Sequence, residues 1–265
     1  MPNSSLSAAA VDIIAAADPD AKVAKTAALA AGWRAGNMVF GNASPLQRPG
    51  RPARPELLSP GAMPRRSTGP KGRIALIHAL AHIELNAIDL AWDIIARFGQ
   101  DMPRAFLDDW VGVADEEARH YAMLARRLNA MGASYGDLAA HDGLWEAAMQ
   151  TMDDLAARLV LVPLTLEARG VDVTPQTAAK VRRAGDEDTA AVLDTIYTDE
   201  ISHLAIGIRW FEFLCARDSR DPHVAYREIL SAHFAGGLKG PFNLPARAQA
   251  GMPSGYLEPW LAVTA

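Results

Sequence analysis

The sequence predicts an all-α protein built around a four-helix bundle, and three observations carry that prediction. Between about residues 71 and 217, apolar positions recur at helical spacing over long stretches closed by Gly, Pro or Asp. The chain holds only two Glu-x-x-His sequences, Glu117-Ala-Arg-His120 and Glu200-Ile-Ser-His203. Each follows a further helical glutamate, Glu84 or Glu167, by the same 33 residues, so one pattern occurs in two helix pairs.

Taken in order, residues 1–41 read as an N-terminal helical hairpin, Ala-rich and interrupted by Asp18, Pro19 and Asp20. Residues 42–70 carry Pro45, Pro49, Pro52, Pro55, Pro60, Pro64 and Pro70, which forbid regular helix and favour an extended strap. The strap also holds Arg48, Arg51, Arg54, Arg65 and Arg66 against the single acid Glu56. Pairing with acidic helix faces is the preferred reading of those arginines, ahead of a phosphate-bearing partner.

Residues 71–217 form the bundle. The first long helix is expected from about Arg73 to Phe98, stopping at Gly99. The second starts at Pro103 behind a cap at Asp101 and stops near Gly132. A third runs from near Asp142 to about Gly170, and Thr174 and Pro175 then open a shorter helix to about Ala184. The fourth covers about Asp186 to Arg217. Residues 218–265 give one more helix, opened by Asp221 and Pro222, and a mostly irregular tail. A crossover between the second and third helices is preferred. Its ten residues, about 132–141, span at most ~36 Å, against ~40 Å for a helix of this length, so helix ends must fray.

The totals limit the alternatives. A net charge of −5 gives no field that would recruit nucleic acid or anionic membrane. The lone cysteine, Cys215, lies among Phe213, Leu214 and Ala216 and reads as a packed thiol in a reducing compartment. The first twenty residues lack Lys and Arg, which argues against a secretory signal, and no stretch looks long and apolar enough to span a bilayer. A cytoplasmic protein, monomeric or homodimeric, is expected.

A spacing of three residues turns a helix by about 300°, so the carboxylate and imidazole of each Glu-x-x-His leave one face and can grip one ion. A glutamate from each neighbouring helix then bridges. Glu84, Glu117, His120, Glu167, Glu200 and His203 are therefore the candidate ligands of two metal ions. Four carboxylates balance two divalent cations, and two neutral imidazoles complete the coordination. Chance placement of 11 Glu and 7 His along 265 residues gives only about 0.3 Glu-x-x-His pairs, before equal intervals are required. Iron, manganese and zinc all accept these ligands. Ile77, Ala81, Ile88 and Ala91 around Glu84, and Leu193, Ile196, Gly207 and Trp210 around Glu200, point both glutamates inward. Pro163, one turn before Glu167, removes a helical donor there. Glu116 and Asp199 are candidates to receive the far nitrogen of a metal-bound imidazole. Tyr121 and Tyr197 are candidates to line a cavity beside the ions. His78 and His82 lie on another side of the first long helix and are expected to pack or cap elsewhere.

The stretches at 78–93 (HALAHIELNAIDLAWD), 115–128 (DEEARHYAMLARRL), 135–148, 162–175 and 199–210 closely resemble a bacterial ferritin-like family catalogued as a domain of unknown function, number four-five-five. The likeness covers most of the chain. It implies the ferritin-like fold and a di-metal site without a substrate. More distantly, Glu116-Glu117-Ala118-Arg119-His120 is similar to the acid-Glu-x-Arg-His signature of oxygen-activating di-iron proteins such as ribonucleotide reductase small subunits, soluble methane monooxygenase and acyl carrier desaturases. The second motif departs from it at Ser202.

The expected function is that of an oxidoreductase holding two iron ions, with dioxygen or peroxide and a small organic molecule as substrates and an unidentified electron donor. The alternatives are a ferroxidase handling iron, an enzyme similar to the tRNA hydroxylases of this fold, and a scaffold that uses metal only for stability.

Overall fold

The computed structural model describes residues 5–64, 69–234 and 237–261. Arg65 and Arg66 of the strap, and the first four residues of the expected hairpin, lie outside them. Among the described residues the fold is an all-α helical bundle, apart from an isolated parallel bridge between Leu57 and Ala140. The chain divides into two compact units, Met1–Glu146 and Ala147–Ala265.

In the first unit, α1 (Leu6–Ile14) and α2 (Pro19–Arg34) form the expected hairpin. Asp18 accepts from the Ala21 amide at 2.7 Å and Pro19 occupies the first helical position, so the Asp-Pro-Asp interruption is a stop followed by a cap. The two helices pack respectively on α3 (Gly69–Phe98) and α4 (Arg104–Ala130). A 3-10 turn over Gly99–Asp101 joins α3 to α4. Asp101 falls inside that turn rather than capping α4. Met102 and Pro103 are extended, and Pro103 stands at the cap position with no side-chain hydrogen bond, so the carboxylate comes too early for the free amides.

The strap is fastened to these helices by charge. Arg51 Nη1 lies 2.5 Å from Asp89 of α3, its Nη2 lies 2.9 Å from Asp142, and the wholly buried Lys22 of α2 also donates to Asp89. Backbone contacts add to this: Gly50 N donates to Ile14 O at 2.8 Å, and a β-carbon at 50 would fall 2.1 Å from Ala15 O.

Gly69–Asp101 is, by length and composition, apolar enough to cross a membrane, contrary to the expectation from sequence. Two-thirds (67%) of its most apolar window is buried in the protein, and it carries His78, His82, Glu84, Asp89 and Asp93 inside. A core helix explains that composition.

The third long helix, which begins in the last residues of the first unit and continues into the second, differs from expectation twice. It is broken at 150–154, between α5 (Gly143–Met149) and α6 (Leu155–Leu161), where Asp154 caps α6 through the Ala157 amide at 3.0 Å. It is not broken at 170–174. A π-helical turn over Val162–Glu167 leads directly into α7 (Ala168–Arg183), which continues through Pro175. The missing amide of Pro175 would have bonded Val171 O, and Asn243 Nδ2 donates to that carbonyl instead, at 3.2 Å. The break also lengthens the link from α4 to α6 to residues 131–154, which removes the span limit on a crossover.

Asp186 caps α8 (Glu187–Arg217) and Asp221 caps α9 (Pro222–His233), both as the sequence suggests. The tail is more ordered than its composition implies, with α10 (Leu244–Gln249), a 3-10 turn at Ser254–Tyr256 and α11 (Glu258–Leu261). Its anchor is Arg247, whose Nε and Nη2 each lie 2.8 Å from an oxygen of buried Asp172 on α7. Cys215 is free and buried, and burial pushes its thiol up, as expected of a packed residue.

Candidate metal centre

The pairing of α3 with α4 gathers Glu84, Glu117 and His120 in the core of the first unit, with exposures of 4%, 1% and 0%. The spacing of Glu117 and His120 brings Oε2 to 3.3 Å from Nδ1 across one helical turn, and Glu84 Oε2 reaches the same Nδ1 from α3 at 3.4 Å. Each residue offers a ligand atom within 4.8 Å of the others.

Two carboxylates at this depth are costly. Burial, with the charge of Glu117 added, pushes Glu84 up to about 8. Burial alone would lower His120, but hydrogen bonds and charge from Glu117 and Glu84 carry it up to about 12. A proton on the imidazole is what holds the trio together without metal. Even so, Glu84 Oε2 is buried with no well-formed hydrogen bond. An oxygen donor in that state, beside a second carboxylate and an imidazole, fits a divalent cation.

In the second unit, α8 presents Glu200 and His203 from one buried face, Nδ1 and Oε2 being 3.9 Å apart. Glu167 ends the π turn and is half-buried. The first turns of α7 lie against Glu200, because a β-carbon on Gly170 would sit 3.8 Å from Glu200 Cγ. The Thr165 hydroxyl donates to Val160 O at 2.7 Å, which satisfies a carbonyl where Pro163 has disturbed the ladder.

The remaining candidates are placed as follows. Glu116 pairs with Arg119 on the helix surface at 3.3 Å, and the half-buried Asp199 accepts through its carbonyl from Ser202. Tyr121 is buried edge-on against Tyr135, and burial raises its hydroxyl well above the ordinary tyrosine range. Tyr197 Oη accepts from Asn243 Nδ2 at 3.2 Å. His78 and His82 cap the loop at 132–141, as expected: Gly136 N donates to His78 Nε2 at 2.9 Å, and His82 binds Tyr135 Oη and His141 O at 2.8 and 3.1 Å. Sequence reasoning missed Gly170, Asn243 and Asp172, which set α7 in place. For Gly170 the available signal was a small residue one turn after Glu167; for the other two there was none.

Fold and site define an all-α protein with a buried glutamate and histidine cluster that could hold a metal ion. The chain belongs to the family described as "Protein of unknown function (DUF455)", whose model matches residues 15–258. It is 39% identical over 217 residues to an uncharacterized protein of Haemophilus influenzae, covering 79% of this chain and 75% of that one. No solved structure matches it.

Proposed function

We propose that Glu84, Glu117, His120, Glu167, Glu200 and His203 together hold two metal ions, iron first among them, in a ferritin-like di-metal centre. In this reading the chain is an oxidoreductase that uses dioxygen or peroxide on a small organic molecule. The observation that carries the reading is the buried trio Glu84, Glu117 and His120, in which Glu84 Oε2 has only a long contact to His120 Nδ1 and no well-formed hydrogen bond. Its match in interval and residue type to Glu167, Glu200 and His203 supports a second, equivalent half. Two bound ferrous ions would supply electrons to the oxidant.

The protein's own residues contribute position and dryness. The Glu-x-x-His turns fix a carboxylate and an imidazole on one face, and Glu84 adds a second carboxylate from the adjoining helix. Leu85, Ile88 and Ala91 on α3, with Ala114, Ala118 and Leu124 on α4, are buried and keep water from the trio. The Pro163 turn places Glu167 where helix geometry is relaxed.

The test is metal loading followed by exposure to oxidant. Anaerobic protein should take up two ferrous ions per chain, and admitting dioxygen or peroxide should consume the oxidant and change the optical spectrum. Glu117→Ala and His120→Ala should abolish uptake of at least one ion. A loaded protein inert to both oxidants would reduce the centre to a structural role, and failure to bind metal would remove it.

A further inference from the structure

We propose that the groove between α3, the strap and the 132–141 loop of the first unit is a binding site for a small apolar carboxylate. The cavity has a volume of about 410 Å³ and its walls include Met63, Ala75, Ala79, Ile83, Leu138 and Leu144. That size lies within the roughly 300–1,000 Å³ of small-molecule sites. Ile83 and Leu138 are 40% and 39% exposed, and both give onto this cavity. Large aliphatic side chains left wet on facing walls are a surface that an apolar ligand would cover.

The walls are preformed. Ala140 N donates to Glu56 O at 2.9 Å and Leu58 N donates to Ala140 O at 2.8 Å, which stitches the strap to the loop. His78 and His82 tie the same loop to α3, and Tyr135 stacks on both rings. Their tautomers follow from their partners. His78 Nε2 accepts a backbone amide, so its proton sits on Nδ1; His82 Nε2 must donate to the His141 carbonyl, so its Nδ1 accepts from Tyr135. Both rings are engaged by the loop, His82 through both nitrogens, and form floor rather than ligand contacts.

What remains polar is one-sided. His141 Nδ1 accepts from the Gly143 amide at 3.3 Å, which leaves its Nε2–H to donate, and exposed Lys71 stands at the rim. Among the described residues no aspartate or glutamate lines the cavity. An apolar body ending in an anionic acceptor satisfies this lining; an amine does not, and an alcohol leaves the ammonium unused. Glu84 lies about 140° around α3 from Ala79, so the site is separate from the metal centre and does not depend on it.

Octanoate is the probe, titrated calorimetrically into the full chain with octanol and octylamine beside it, in chelator and after metal loading. Octanoate should bind saturably, one per chain, in both metal states. Octanol should bind about tenfold more weakly and octylamine not at all. Lys71→Glu, an exposed change that should leave the melting curve intact, should weaken octanoate about five- to tenfold. Ala79→Trp should fill the cavity and abolish binding. No saturable octanoate binding, equal binding of octanol, or a Lys71→Glu protein that binds like wild type would overturn the proposal.

Discussion

A β-carbon on Gly207 would fall 2.7 Å from Leu164 Cδ1 and 3.0 Å from Pro163 Cβ. Gly207 lies one turn beyond His203, so this close approach sets the face of α8 that carries Glu200 and His203 against the π turn that ends at Glu167. Gly207→Ala must shift one of them. We expect a loss of about 1–3 kcal/mol from overpacking, outweighing the ~0.5–1 kcal/mol that alanine normally adds within a helix. Gly112 of α4 faces open space, so Gly112→Ala should show that gain alone. Urea denaturation of both variants gives opposite signs if close packing is the cause, and like signs if it is not.

Asp89 joins the hairpin and the strap to α3 by charge. Buried at 0% exposure, it receives both Lys22 and Arg51. Asp89→Asn leaves the buried Lys22 facing a neutral amide and Arg51 with Asp142 as its charged partner, and should cost roughly 3–5 kcal/mol, the scale for breaking a buried pair from one side. Arg182 makes comparable contacts to Glu187 and Asp194 at the surface. Its replacement by alanine should leave the denaturation midpoint unchanged, since solvent screens such pairs. A small effect at Asp89 would mean that water reaches the site on mutation.

Legibility from the sequence followed the range of the interaction. The stop at Asp18 and the helix starts at Asp186 and Asp221 were readable because a capping carboxylate and its amide lie within three residues, although the same rule misplaced a cap at Asp101. The Glu-x-x-His pairs were readable because one turn fixes their geometry. The path of the chain at Pro175 was not, because Asn243, sixty-eight positions later, supplies the bond that lets the helix continue. The break before α6 was missed for a related reason. Arg158 is wholly buried and donates to Ala148 O and Thr151 Oγ1, which folds back a segment whose apolar spacing alone reads as continuous helix. For the candidate site, residue types, shared faces and the inward placement of Glu84 were visible, whereas the separations within the trio, which depend on how α3 packs on α4, were not.

That cost gives a pH dependence to the metal-free protein. Glu84 is held at about 8 against an ordinary value of 4.5, and His120 at about 12 against 6.5. Both folded values are raised, so the native state binds more protons than the unfolded chain. The contribution of Glu84 is full below pH 4.5 and gone above about 8; that of His120 is full below 6.5 and declines as pH rises beyond it. In chelator the protein should therefore be less stable at about pH 8.5 than at pH 6, by on the order of 2 kcal/mol. Metal must displace these protons, so loading at pH 6 should release protons and binding should tighten as pH rises. Urea midpoints in chelator and proton release during Zn2+ titration measure the two halves. A metal-free protein whose stability rises between pH 6 and 8.5 would show that the trio is not protonated as argued.

The partnership of Pro175 with Asn243 is open to a double-mutant cycle. Asn243 Nδ2 serves Val171 O at 3.2 Å, while its Oδ1 accepts from Ala246 N at 3.3 Å as the cap of α10. Asn243→Ala removes both, together with the bond to Tyr197 Oη, at a cost of about 1–3 kcal/mol with the Val171 carbonyl left unpaired. In a Pro175→Ala background the new amide at 175 can bond Val171 O itself, so the same substitution should lose only the cap and the Tyr197 contact, which are common to both backgrounds. The difference, about 1 kcal/mol of coupling, belongs to the substituted hydrogen bond. Additive effects would mean that Val171 O finds water when Asn243 is removed, and that α7 tolerates Pro175 through its packing on α8 alone.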